Sequence, residues 1–272
     1  MERDHTMDRE ARRPPRSQES RSQFARLGGM FFSPGRTFGE LARSPVIAAA
    51  LIALALTGAI RATAVSRAGD LDAVAQHTFE QQTERMPRTF ARGMSDADRE
   101  RGFEATRGAL RVSRNFAPVV GGIGGALAPV AAAAFFLLLF GIFGSPGSFR
   151  VILSTVVHAG WPPAAVSTVL TCLVIWLSHP MAPERAAEPL RAHLAAVVPG
   201  LEGAAAALAS RVDLFLAWEL ALVTVGVAIT VGVNRRRSLA VALGLWALVT
   251  AVAVGAALLA NTVSFRIGTG PA

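Results

Sequence analysis

Residues 148–177, SFRVILSTVVHAGWPPAAVSTVLTCLVIWL, decide the fold. A bilayer's hydrocarbon core of ~30 Å is crossed by about 20 residues rising 1.5 Å each, and this segment is both longer and more apolar than a soluble core helix. It reads as a transmembrane helix. Its one interruption is Gly160-Trp161-Pro162-Pro163, where two successive prolines remove two backbone donors and clash with the preceding turn, which predicts a kink or break near Gly160. Carbonyls freed in hydrocarbon need partners from neighbouring helices, Ser/Thr hydroxyls or trapped water. The segment is therefore expected in the middle of a bundle, with His158 as the one ionisable group in its interior.

The rest of the chain agrees. Of 272 residues, 52% are hydrophobic, and the mean hydropathy of +0.42 places the chain among integral membrane proteins. The net charge is +8, but the arginines are scattered among acids with no aromatic-studded basic face and no zinc-ligand spacing, so no nucleic-acid partner is expected. The charge meets anionic lipid headgroups instead. Lysine and tyrosine are absent and alanine abundant, a bias of GC-rich bacterial coding that points to a bacterial inner membrane. The single Cys172 excludes an internal disulfide. The first 30 residues hold no apolar run of the kind a cleavable signal peptide needs.

In chain order, residues 1–23 form a polar tail expected to be disordered. Residues 24–43 thread Phe31, Phe32, Pro34 and Phe38 among arginines and read as interfacial helices, the second started by Ser33-Pro34; a flap packed on the bundle is the alternative. Five spans follow, at about 45–65, 116–143, 149–177, 214–233 and 239–260, the first opened by Ser44-Pro45. Residues 66–115 read as one or two surface helices capping the bundle, with Ser95-Asp96-Ala97-Asp98 as a capping box that has Asp in place of Glu. Gly121 and Gly125 form a small-xxx-small pair in span 2, fit equally for packing inside the chain and for a homo-oligomer face. The fold class is an all-α, five-span helical bundle.

The short Arg235-Arg236-Arg237 turn argues for a cytoplasmic turn, giving N-terminus inside and C-terminus outside. In that orientation Arg61, near the end of span 1, and Asp213, at the entry of span 4, share a depth, and Glu219 lies on the order of 9 Å further in. Arg61, His158, Pro162, Pro163, Asp213, Trp218 and Glu219 are the intramembrane candidates. They form either a proton- or cation-linked site at the span 3 break or, in the favoured reading, a register-fixing pair of Glu219 with Arg61 or His158. No HExxH, GxSxG or Cys/His pairing is present, so no catalytic residue, cofactor or metal site is expected.

Several segments together resemble the Yip domain family: Met30-Phe31-Phe32-Ser33-Pro34 with Thr37-Phe38 and Glu40-Leu41; Gly147-Ser148-Phe149-Arg150 with His158-Ala159 and Pro162-Pro163; Asp213-Leu214-Phe215 with Trp218; and the basic turn at Arg235. The likeness covers about residues 24–260 and implies a five-span fold of the kind known in eukaryotes for Rab-GTPase-interacting factors of the early secretory pathway, with many bacterial relatives. It departs from those members in its long Arg/Glu loop after span 1. The expectation is a membrane scaffold or adaptor whose partners are lipids and a protein bound through the cytoplasmic N-terminal region.

Overall fold

The computed structural model describes residues 22–86, 93–142, 147–186, 188–198, 200–201 and 203–267. Two short helices, α1 (Gln23–Phe32) and α2 (Pro34–Arg43), precede α3 (Ala48–Ser66), α4 (Leu71–Arg85), α5 (Asp96–Ile142) and α6 (Phe149–Ser178). Three helical turns, α7 (Pro183–Ala186), α8 (Leu194–Val197) and α9 (Gly203–Ala209), lead into α10 (Leu214–Val231) and α11 (Arg235–Ile267). Among the described residues there is no β-strand, and α3, α5, α6, α10 and α11 are long and apolar enough to cross a membrane. Five crossings put α1, α2 and the turn before Arg235 at one end of the bundle. The other end carries α4, the start of α5 and the segment 179–213. The expected tail lies mostly outside the described residues.

Helix α6 is the central element, as its sequence predicts, and Ile152 through Gly160 are buried without interruption. The expected break is absent: α6 runs unbroken through Pro162 and Pro163, both buried. Two prolines delete only the bonds to the carbonyls of residues 158 and 159. Packing on every side of that turn holds the rest of the ladder in line. Ser154, one turn earlier, donates to the Val46 carbonyl at 2.7 Å. That bond, with Arg26 Nη1 donating to the Ser44 carbonyl at 3.0 Å, satisfies an extended lead-in, so α3 starts at Ala48 and not at Pro45.

Helix α5 also differs from expectation. The surface helix foreseen before span 2 is continuous with it, so that its 47 residues rise about 70 Å, more than twice the hydrocarbon thickness. It begins in the capping box: Ser95 Oγ accepts from the Asp98 N–H at 3.2 Å, and the Asp98 carboxylate accepts from the Ser95 N–H at 3.2 Å and from its hydroxyl at 2.6 Å. The protruding half lies beside α4, where Arg107 pairs with Asp72 at 2.6 Å. Arg114 donates to the Gly69 carbonyl at 2.7 Å.

The closest approach in the bundle is between α3 and α5. A Cβ on Gly121 would collide with the Gly58 carbonyl oxygen, and one on Gly125 with the Leu54 carbonyl oxygen. Both glycines of the small-xxx-small pair thus face α3 of the same chain. Absent side chains let two backbones touch where lipid supplies no hydrophobic drive to association.

Candidate functional site

At the α1–α2 end, the amphipathic pair is seated in the bundle. Phe38 and Leu41 are fully buried and Met30 is 1% exposed. Phe38 therefore belongs to the core and not, as the sequence led us to expect, to an interfacial contact surface. Its ring fills a notch that only glycine leaves open, because a Cβ on Gly226 of α10 would lie 2.6 Å from Phe38 Cε1. On α6, Thr155 borders the same notch with Cγ2, and its Oγ1 donates to Thr230 Oγ1 at 2.8 Å. Pro34 is half-buried at the first turn of α2. Phe31 packs edge-on against Trp218, with centroids 6.3 Å apart, whereas Phe32 is 90% exposed.

Arg26, which the sequence gave no reason to single out, is 5% exposed and lies 3.7 Å from Glu40. Arg36 meets the other oxygen of that carboxylate at 3.5 Å. The pair ties α1 to α2, and its signal in sequence was faint: one arginine among many, fourteen positions from its partner. His158 is also at this level. Its Nδ1 donates to the Ser154 carbonyl at 2.8 Å, and Nε2 is buried with no partner.

Toward the opposite end, a cavity of about 390 Å³ opens between α3, α6, α10 and α11. It gathers four of the sequence candidates, Arg61, Pro163, Asp213 and Glu219, with Ser167 and Thr250. Arg61 Nη1 donates to Ser167 Oγ at 3.4 Å. Asp213 is spent on structure, its carboxylate capping α10 by accepting from the Leu216 N–H at 2.6 Å. Glu219 lies against Gly160 of α6, with Oε1 3.5 Å from where a Gly160 Cβ would be. Among the described residues no basic group lies within 4 Å of it, so neither expected pair, with Arg61 or with His158, is formed. The reason is geometric. Arg61 turns to Ser167, and His158 is held back toward Ser154 on its own helix. Ser167 and Thr250 went unnoticed in the sequence because hydroxyls in apolar spans are common.

Five helices long and apolar enough to cross a membrane define a multi-pass helical membrane protein. The model of the Yip1 domain matches residues 28–256, and the chain belongs to the Yip1 domain family. No curated protein and no solved structure gives a significant match.

Proposed function

We propose that the protein is an integral membrane scaffold or adaptor whose contact surface is the α1–α2 pair together with the N-terminal tail. The observation that carries this reading is the seating of that pair. Phe38, Leu41 and the Arg26–Glu40 contact fix it to the bundle, while Phe24 and Phe32, 79% and 90% exposed, are held outward. A rigid apolar rim at a membrane end loses little conformational freedom when a partner covers it. The orientation is N-terminus inside. Arg26, Arg36, Arg43, Arg150 and Arg235 to Arg237 stand in short segments at this end with Glu40 as the only carboxylate of α1, α2 and the turn before α11, the distribution of a cytoplasmic face. The GC-rich coding bias supports a bacterial inner membrane as its location.

The test is cross-linking in membranes, followed by capture in mild detergent and mass spectrometry, of the full chain and of Phe24→Ser/Phe32→Ser. Truncation through residue 43 would be uninformative because it removes core residues. A near-stoichiometric protein partner lost in the double variant is expected. Recovery of both forms with lipid alone would overturn the adaptor reading. The cavity at Glu219 favours a second reading, a small proton- or ion-linked transporter. In that case Glu219→Gln abolishes pH-driven flux in proteoliposomes, and equal flux in both proteins removes it.

A further inference from the structure

At the α4 end of the bundle, three span ends meet around a second concavity of about 680 Å³. It is lined by Arg67 at the end of α3, by Arg111, Arg114 and Asn115 where α5 enters its apolar stretch, and by His179 just past α6. These positions lie at headgroup depth, since each marks the passage from apolar span to polar segment.

The charge here is only partly compensated, three arginines facing one carboxylate, and that sets it apart from its surroundings. Arg101 and Arg107, one to four turns further out on α5, are paired with Asp98, Asp72 and Glu104. Arg67 and Arg111 have no carboxylate within 4 Å among the described residues. Arg114 is anchored by its bond to the Gly69 carbonyl. The one carboxylate lining the concavity is Asp70, and its Oδ1 is committed to the N–H groups of Asp72 at 2.9 Å and Ala73 at 3.0 Å as the cap of α4. The Ala73 N–H foremost holds that carboxyl below its ordinary 3.8. As a cap it keeps its charge and also acts on Arg114, so it offsets one of the three guanidiniums and leaves the lining net positive. Three guanidiniums are thus gathered in a concavity of the size that holds small ligands, and guanidinium forks match phosphate oxygens in geometry.

We propose that this concavity binds the phosphate headgroup of an anionic phospholipid from the leaflet at the α4 end, with Arg67 and Arg111 as its free cations and Arg114 as its fixed one. The lipid's acyl chains then run beside the apolar start of span 2, where Phe116, Val119 and Val120 are exposed.

The experiment is native mass spectrometry of the full chain in detergent, titrated with phosphatidylglycerol or phosphatidylcholine, on wild type, Arg67→Gln/Arg111→Gln, and the single Arg111→Gln. Each arginine removed near a membrane surface weakens an anionic lipid by about fivefold, so the double variant is expected to bind phosphatidylglycerol at least tenfold more weakly. Phosphatidylcholine binding and thermal unfolding without lipid stay unchanged, both side chains being exposed. A control, Arg235→Gln/Arg236→Gln/Arg237→Gln at the other end, retains the tight phosphatidylglycerol. Equal retention in wild type and both pocket variants would overturn the proposal. So would equal affinity for the two lipids, or displacement by inorganic phosphate at matching concentration, which would make it a site for free phosphate.

Discussion

Gly226→Ala tests the seating of α2 with a single methyl group. A Cβ at this position would lie 2.6 Å from Phe38 Cε1, 2.7 Å from Phe38 Cζ and 2.7 Å from Thr155 Cγ2. Carbon atoms rest about 3.5–4.0 Å apart, so both neighbours must retreat by about 1 Å. Neither has room. Phe38 is fully buried, and Thr155 is held by its one hydroxyl proton, shared between the Val151 carbonyl at 2.9 Å and Thr230 Oγ1 at 2.8 Å. Overpacking of this kind costs about 1–3 kcal/mol, and a chain of this size loses about 2–4 °C of Tm per kcal/mol. The strain is relieved by lifting α2, so tryptic cleavage at Arg36 and Arg43 should accelerate as Tm falls in detergent. Phe38→Leu alone leaves a void, yet in the Gly226→Ala background it removes the collision. The double variant should therefore be more stable than the two single losses added together. An unchanged Tm with unchanged trypsin resistance in Gly226→Ala, or strict additivity in the cycle, would refute the notch.

Gly121→Leu should prevent a folded monomer in size-exclusion chromatography, because even its Cβ collides with the Gly58 carbonyl. Gly124→Leu, whose Cβ meets nothing within 4 Å, should elute as wild type; the same profile for both would sink the α3–α5 argument. Arg26→Ala should lower stability by about 3 kcal/mol, since it strips a largely buried partner from Glu40 while Arg36 remains; thermal unfolding measures it, and Glu40→Gln should do less. The Asp98 carboxyl is held below its ordinary 3.8, first by the Ser95 hydroxyl and then by the Ser95 N–H, with Arg101 adding to it. A depressed carboxyl contributes stability that is fully present above its unfolded value and lost as pH falls through the folded one. Protection factors for hydrogen exchange at the start of α5 should thus fall on acidification below about pH 4, and in Ser95→Ala they should be low already at neutral pH.

How much of this was readable in the sequence varies with the range of the interaction. Spans, capping box and the Asp213 cap are local patterns of period or spacing, and five helices apolar enough to cross a membrane are present. The unbroken α6 was not legible. Proline removes two bonds by a local rule, while the decision to stay helical belongs to the neighbours packed on Ile152 to Gly160. Phe38 was misplaced for a related reason. Amphipathic spacing shows that a face is apolar but not what covers it, and the notch is made by Gly226, 188 positions away. The cavity was half legible: depth arithmetic put Arg61 and Asp213 at one level with Glu219 on the order of 9 Å further in, but which partner each side chain chooses depends on rotamers that spacing cannot fix.

The interactions between spans divide into two kinds, and the division sets which substitutions the bundle can bear. The α3–α5 pair rests on backbone contact at Gly58, Gly121 and Gly125, with no side chain able to yield. Elsewhere, besides apolar packing, single hydroxyls bridge elements: Ser154 to the Val46 carbonyl, Thr155 to Thr230, Ser238 to the Thr224 carbonyl at 2.9 Å, and Ser167 under Arg61. In a bilayer such a bond averages only about 0.6 kcal/mol, because the separated helix finds other partners. Deleting any one hydroxyl should leave the fold intact, whereas one methyl at Gly121 sets two backbones apart. Movement within the membrane, if function calls for it, therefore has its room at α6, α10 and α11, around the cavity that holds Glu219, while α3 and α5 act as the fixed frame.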